Sequence, residues 1–150
     1  MAQRIRALLT LYTYDKRNNP ELYLHEEDFN ADGKADATIK ITYGFDHQGN
    51  QISFVLEQDY EADGVVDDIL SITSIYNKRG ELLQSNSKDV NVNPLFDSSS
   101  QTTYNYDKLG NLLESRTQEF DANGNLSSIA NQTYFYLPRA EILHNSKSER

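Results

Sequence analysis

The sequence contains no cysteine, and this absence excludes several kinds of chemistry. Without cysteine there is no disulfide framework, no thiolate nucleophile and no metal site with sulfur ligands. The sequence also lacks a cluster of lysine and arginine, and its net charge is −9. A protein that binds nucleic acid needs such a cluster to replace the counterions of the phosphate backbone. A nucleic-acid partner is therefore not expected.

Long apolar segments are missing as well. No run approaches the ~20 apolar residues of a membrane-spanning helix, so no membrane span is expected. Residues 1–10 lack the apolar stretch and the small-residue cleavage site of a signal peptide. We therefore expect an intracellular protein, or a mature or excised part of a larger one. The length of 150 residues predicts one domain over residues 1–150.

Two segments concentrate acidic and amide side chains in the same pattern. The first, D-F-N-A-D-G-K-A-D, covers residues 28–36, and the second, D-Y-E-A-D-G-V-V-D, covers residues 59–67, 31 residues later. Calcium prefers oxygen ligands, and a loop of this kind supplies them from alternate positions, with glycine at the sharp turn. The pattern predicts two bound Ca²⁺ ions. The predicted ligands are Asp28, Asn30, Asp32, the Lys34 carbonyl and Asp36 in the first loop, and Asp59, Glu61, Asp63, the Val65 carbonyl and Asp67 in the second.

Neither loop matches an EF-hand. The position of the bidentate glutamate in an EF-hand is Ile39 in the first loop and Leu70 in the second. The flanking residues alternate with period two, as strands do. A D-x-[ND]-x-D-G-x-x-D loop between strands is similar to the calcium loops of FG-GAP and related β-repeat proteins, which favours an extracellular or cell-surface location. The alternative is a plain turn built from Asp, Asn and Gly, which needs only one or two such residues.

Aromatic residues recur about every 15 residues along most of the chain, and a turn signal follows each of them. Residues 38–45 and 52–60 between these signals alternate polar and apolar side chains. This predicts an all-β fold, an antiparallel up-and-down meander of about eight to ten strands, curled or closed into a barrel or shell. The repeating aromatic residues are Tyr14, Phe29, Phe45, Tyr60, Tyr76, Tyr106, Phe120 and Tyr136.

Three stretches depart from this rhythm. Residues 85–100 are rich in Ser, Asn and Asp and include Pro94, which favours a long irregular loop. Residues 138–150 are predicted to form a polar tail. Near the N-terminus, Leu9 and Leu11 make one strand apolar on both faces, which is typical of an inner or covered strand.

The turns carry a family resemblance. The string Y-N-Y-D-K-L-G-N-L (104–112) resembles the YD repeat of Rhs-type proteins, and F-D-A-N-G-N-L (120–126) is a second copy. Residues 76–82 and 45–51 are weaker copies, and the turn after Tyr14 lacks the glycine. The resemblance implies a spiralling β-sheet shell with an enclosing or structural role. A shell needs more repeats than this chain holds, and the family's motif carries no catalytic residues.

No catalytic signature accompanies these motifs. The three histidines, His25, His47 and His144, do not form a metal-binding pair, and no nucleophile elbow is present. We therefore expect a non-enzymatic, calcium-binding β-repeat domain in which the ions order the two acidic loops. Its role is structural or is the docking of an unknown protein or carbohydrate partner, and an oligomer is compatible with the sequence. The main alternative is a closed barrel that binds an apolar or aromatic ligand or a sugar, with structural calcium only. An acid–base hydrolase ranks below both.

Overall fold

The computed structural model describes residues 6–136, and it contains nine strands and one short 3₁₀ turn. All the strands but the last are nine residues long, and the last has eight. The strands are β1 (Arg6–Tyr14), β2 (Pro20–Asp28), β3 (Ala37–Phe45), β4 (Gln51–Asp59), β5 (Asp68–Tyr76), β6 (Leu82–Val90), β7 (Ser98–Tyr106), β8 (Leu112–Phe120) and β9 (Leu126–Thr133), and the 3₁₀ turn is Pro94–Phe96.

The strands form one antiparallel sheet in the order of the sequence, from β1 to β9. The predicted all-β meander is therefore confirmed, and every predicted turn lies between two strands. The prediction of closure is wrong within residues 6–136, because β1 pairs only with β2 and β9 only with β8. Closure depends on the curvature and stagger of the whole sheet, which local alternation does not specify.

The predicted irregular loop at 85–100 is a second correction. Residues 85–90 belong to β6 and residues 98–100 to β7, so only residues 91–97 are irregular. The two strands pair from Gln84↔Thr103 to Asp89↔Ser98. Serine and asparagine are acceptable here because the sheet is one layer thick and leaves both faces open to water. The predicted polar tail at 138–150 lies outside the described residues.

The predicted inner position of the first strand is also wrong. Strand β1 is an edge of the sheet, and Leu9 and Leu11 on it are both exposed, by 39% and 40%. Within residues 6–136 no second layer covers these two leucines, so such a layer does not explain their apolar character.

One face of the N-terminal strands is apolar, and we call it the apolar face of β1–β5. On this face Ile41 lies opposite Leu56, and Leu56 lies opposite Leu70. The opposite face carries more polar residues, including the ion pair between Lys40 and Glu57, with Nζ 2.6 Å from Oε2. The apolar residues of this face are Tyr12, Tyr14, Tyr23, Ile39, Ile41, Tyr43, Phe45, Ile52, Phe54, Leu56, Leu70, Ile72 and Tyr76, and the polar residues Thr10, His25 and Ser74 lie among them.

None of the described hydrophobic side chains is fully buried. The apolar face is covered only by contacts between neighbouring strands, such as Tyr43 with Phe54, whose ring centroids lie 5.7 Å apart. Such cross-strand pairs stabilise a sheet by about 0.2–1 kcal/mol each. In the described residues the core is therefore a single layer of half-buried side chains.

The connections between strands lie at two opposite ends of the sheet, because successive turns of a meander alternate between its ends. The end with the loops 29–36, 60–67, 91–97 and 121–125 is called the acidic rim, and the end with the turns 15–19, 46–50, 77–81 and 107–111 is called the turn rim. The two acidic loops thus lie on the same rim, as a meander requires, two strand spacings or about 10 Å apart.

Candidate functional site on the acidic rim

The two acidic loops are built in the same way. Asp28 ends β2 and Asp59 ends β4, so each loop starts with a carboxylate at the end of a strand. Asp36 and Asp67 close the loops directly before the next strand region. Each closing residue also donates its backbone N–H to the preceding strand, Asp36 to the Glu27 carbonyl at 2.7 Å and Asp67 to the Gln58 carbonyl at 2.8 Å.

Asp28 is the most buried residue described, with 1% of its surface exposed. Its carboxylate accepts the backbone N–H groups of Ala31, of Asp32 at 3.2 Å and of Gly33 at 3.0 Å. Burial raises the pKa of Asp28. The hydrogen bonds from backbone N–H groups lower the pKa by more than burial raises it, so it lies below its usual value of 3.8. Asp28 is therefore charged at neutral pH and organises the first half of the loop.

Asp59 occupies the same place in the second loop. It accepts the N–H of Gly64 at 2.9 Å and, more weakly, those of Glu61 and Asp63, both at 3.3 Å. It is 9% exposed. Because two of these hydrogen bonds are longer than those typical of N–H donors, the second loop holds its first carboxylate less tightly than the first loop does.

The closing aspartates bind the start of each loop. Asp36 accepts the N–H of Phe29 at 2.7 Å, and both the N–H and the side-chain amide of Asn30 at 3.2 Å. Asp67 accepts the N–H of Tyr60 at 2.7 Å. Each loop is therefore held by its first and last carboxylates, through backbone N–H groups that would otherwise face water.

The middle residues make only local turns. Asn30 accepts the N–H of Asp32 at 2.8 Å, and Asp32 accepts that of Lys34 at 2.9 Å. Asp63 accepts the N–H of Val65 at 2.8 Å. Each of these acceptors uses one oxygen, Oδ1. Within residues 6–136, no hydrogen bond reaches Oδ2 of Asp32 or of Asp63, so each loop retains acceptor capacity that its own backbone does not need.

The predicted ligands of each site lie in one loop, but their side chains do not come together around a common point. In the described part of the chain, no three Asp, Glu, His or Cys side chains lie close enough together to hold a metal ion. The donor types suit a hard cation such as Ca²⁺. Binding would require the side chains in the middle of each loop to turn toward Asp28 or Asp59. Lys34 and Val65, whose carbonyls are predicted ligands, stand directly after the loop glycines.

Sequence reasoning missed that the loop at 91–97 belongs to the same series. Asn91 donates its N–H to Asp97 at 2.8 Å, as Phe29 does to Asp36. The first carboxylate is absent, because Val90 stands 31 residues after Asp59. The spacing alone would have revealed this relationship. The loop at 91–97 is a natural counterpart of the two acidic loops that lacks their first acidic position.

Four of the five five-residue turns are each held by the carboxylate of one aspartate. Asp46 accepts the N–H groups of Gln48 at 2.8 Å and Asn50 at 2.9 Å, and the Asn50 side-chain amide at 2.9 Å. Asp15, Asp107 and Asp121 repeat this arrangement with Asn19, Asn111 and Asn125. The fifth turn exchanges the two partners, since Asn77 takes the position of the aspartate and donates its amide to Glu81.

Neighbouring turns on the turn rim are linked by their third residue. Arg17 donates to the Asp46 carbonyl at 2.8 Å, and Gln48 donates to the Lys78 carbonyl at 3.4 Å. Arg79 donates to the Lys108 carbonyl at 3.0 Å. The links hold adjacent two-strand units in register. The acidic rim has no such side-chain link between its two acidic loops in the described residues.

A polar cluster around His25 was also missed. Its Nδ1 lies 2.9 Å from the Thr10 hydroxyl, and its Nε2 lies 3.3 Å from a Glu27 carboxylate oxygen. The ring stacks on Tyr23 at 6.0 Å. A hydroxyl, an imidazole and a carboxylate in this order resemble a catalytic triad, in which the imidazole takes the hydroxyl proton and the carboxylate orients the imidazole. This arrangement of the three groups depends on the β1–β2 register, which no local sequence pattern reveals.

Four surface grooves of the described residues are lined by residues other than those of the His25 cluster. One groove of about 360 Å³ lies against β7 and includes Ser87, Ser100 and Glu119. His47 is exposed in its turn, and His144 lies outside the described residues. The His25 cluster is a cross-strand contact within the sheet.

Comparison with known proteins gives no relative. No family model matches this chain, and no curated protein matches it. Among residues 6–136 no helix is long and apolar enough to cross a membrane.

Proposed function

We propose that this chain is a non-enzymatic β-repeat domain in which Ca²⁺ orders the loops 28–36 and 59–67, and that the ordered acidic rim docks a protein or carbohydrate partner. The observation that carries the proposal is the unused acceptor capacity in the middle of both loops. The first and last carboxylates hold the backbone, and Asp32 and Asp63 each keep a solvent-exposed oxygen that accepts no hydrogen bond from the described residues.

The charge of the loops supports a cation as the missing partner. The second loop holds four carboxylates, Asp59, Glu61, Asp63 and Asp67, and Asp68 follows directly. Like charges this close repel one another, and backbone N–H groups offset only part of that repulsion. A divalent cation would neutralise the repulsion and draw the middle side chains inward.

The backbone gives a second, independent support. Ala31 and Ala62 stand at the same position of the two loops, and both have positive φ, 64° and 50°. This conformation costs an alanine about 1–2 kcal/mol. Strain repeated at matching positions suggests that both loops keep a conformation for a reason other than their stability as turns.

The docking role follows from the position of the loops. Both lie on one rim, about 10 Å apart, so two ions would form one metal-bearing edge whose open coordination positions accept oxygens from a partner. We expect an extracellular or cell-surface setting and calcium affinities of about 10⁻⁴–10⁻³ M, the range of extracellular modules. The turns resembling YD repeats are then the scaffold of the domain.

Terbium luminescence tests the metal sites. Terbium replaces calcium and is excited through a nearby tyrosine, and Tyr60 directly follows the first ligand of the second loop. We expect sensitised emission that calcium competes away. Asp63→Ala should remove most of this emission, because it removes a ligand of the Tyr60 loop.

Asp97→Ala serves as the matched control, since it removes an acidic residue from the related loop without a predicted site. It should leave the terbium emission unchanged. Emission that is absent in the parent protein, or lost equally in both variants, would contradict the proposal.

A further inference from the structure

The apolar face of β1–β5 has no cover in the described residues. Its central side chains, such as Ile41, Leu56 and Ile72, are only half-buried. Several residues at its margin are more exposed, including Tyr12 at 56% and Ile52 at 40%. A contiguous apolar surface of this extent is rare on a soluble monomer and marks an interaction site.

The size of the face matches one side of a stable interface. Five strands at roughly 4.8 Å spacing and nine residues at roughly 3.4 Å rise span about 24 Å by 30 Å, or about 700 Å². A standard interface takes about 800 Å² from each partner. The face is therefore large enough to hold one partner sheet.

The distribution of charge indicates what that partner is. The chain has a net charge of −9, yet strands β3–β5 place no charged side chain in the middle of the apolar face. Charged residues lie at its acidic-rim end, where Glu27 pairs with Ala37 and Asp68 pairs with Gln58. A basic partner would find its complement on the acidic rim, whereas an uncharged apolar surface suits an identical one.

The face also has a boundary. Beyond β5 its side chains become small and polar, beginning with Ser85 and Ser87, which lie opposite Ser74 and Ile72. In β7 the same face carries Ser100 and Thr102. A bounded patch favours a closed pair of molecules over an open-ended assembly.

We propose that a second copy of this chain covers the apolar face of β1–β5, so that two single-layer sheets form a two-layer sandwich across a two-fold axis. Sheets that pack in this way lie about 10 Å apart. The interface is separate from the acidic rim and does not depend on calcium.

A matched pair of variants on β3 tests the proposal. Ile41 lies at the centre of the apolar face, opposite Leu56, and Thr42 points to the other face, opposite Val55. Sedimentation from micromolar to millimolar protein should show a monomer–dimer equilibrium. Ile41→Lys should weaken dimerisation at least ~30-fold, as expected for a central interface residue, and Thr42→Lys should leave it within about two-fold.

A distance measurement keeps the test decisive if Ile41→Lys fails to fold. Because the chain has no cysteine, a spin label on Thr73→Cys reports one site on the polar face of β5. In the face-to-face dimer the two labels should lie within about 35 Å, since the sheets are about 10 Å apart.

Two outcomes would overturn the proposal. One is a monomer at every concentration, which would leave the face for a different protein. The other is a label separation of about 43 Å or more, nine strand spacings, because that distance indicates pairing through an exposed edge strand, β1 or β9.

Discussion

The two nine-residue acidic loops, 28–36 and 59–67, and the five-residue turns other than 77–81 use aspartate to hold their backbone. The loops contain more acidic residues than the turns do. In a turn such as 46–50, one carboxylate accepts two backbone N–H groups and the amide of Asn50, and no acidic group is left over. In the loop 28–36, Asp28 and Asp36 already hold the backbone, and Asp32 is not needed for closure. The difference teaches that turn formation accounts for the turns but not for all the acidic residues of the loops.

The largest expected effect separates the two kinds of connection by calcium. At about 100 times its dissociation constant, a ligand that binds only the folded state adds about 2.7 kcal/mol per site. We expect the melting temperature to rise with calcium and fall with chelator. Asp32→Ala should reduce the rise by about half, and Asp46→Ala, in a turn, should lower the melting temperature without changing the rise. A rise that survives in the double variant Asp32→Ala, Asp63→Ala would break the comparison.

The second prediction concerns backbone strain. The turns place glycine at their fourth position, as in Gly49 with φ of 89°, whereas the loops place Ala31 and Ala62 there. Gly49→Ala should destabilise the protein by about 1–2 kcal/mol. Ala31→Gly should stabilise the calcium-free protein by up to about 1 kcal/mol, because glycine adopts positive φ without strain. Urea unfolding measures both, and equal destabilisation by the two changes would remove the distinction.

The third prediction uses the exchanged pair at 77–81. Asn77→Asp places two carboxylates together, because Glu81 is its side-chain partner, and should cost about 1 kcal/mol. Adding Glu81→Asn recreates the Asp–Asn pair of the other turns and should recover most of the loss. A double-mutant cycle by denaturant unfolding gives the coupling energy. A coupling near zero would mean that the amide–carboxylate pairs do not hold the turns.

The smallest expected effect is a dependence on acid pH. The Asn19, Asn50 and Asn111 amides, together with backbone N–H groups, lower the pKa of Asp15, Asp46 and Asp107 below 3.8. Because each folded pKa lies below the unfolded value, the stabilisation is fully present above about pH 4 and is lost as the pH falls further.

Unfolding measured from pH 6 to pH 2 tests this dependence. The stability should stay level down to about pH 4, as far as these groups contribute, and then decline. Asp46→Asn should make the decline shallower, since one titrating group is gone. A decline that begins above pH 5 and is unchanged in Asp46→Asn would assign the acid sensitivity to other residues.

Most of the fold was readable from the sequence because it is local. The 15-residue rhythm places every turn except the loop at 91–97, and Asn18, with φ of 65°, takes the place of the missing glycine in the first turn. Asparagine tolerates this conformation better than most residues. The strands at 85–90 and 98–100 were not readable, because their serine, asparagine and aspartate side chains show no apolar alternation.

The rest depends on pairings between distant residues. The cluster of His25 with Thr10 exists because of the β1–β2 register, and the open sheet depends on curvature accumulated over nine strands. Of the candidate site, the sequence identified the two loops and their common rim. It did not reveal that Asp28, Asp36, Asp59 and Asp67 serve the backbone while the middle residues remain available.

The central claim is that the surplus carboxylates of the two loops hold calcium, and a calorimetric titration of chelator-stripped protein tests it most directly. We predict two calcium ions per chain, one after Asp63→Ala, and two after Asp97→Ala. Magnesium should bind more weakly, because it prefers a smaller and more rigid octahedral site. No saturable calcium binding up to about 50 mM, well above the 10⁻⁴–10⁻³ M range expected for such sites, would contradict the claim and leave both loops as turns.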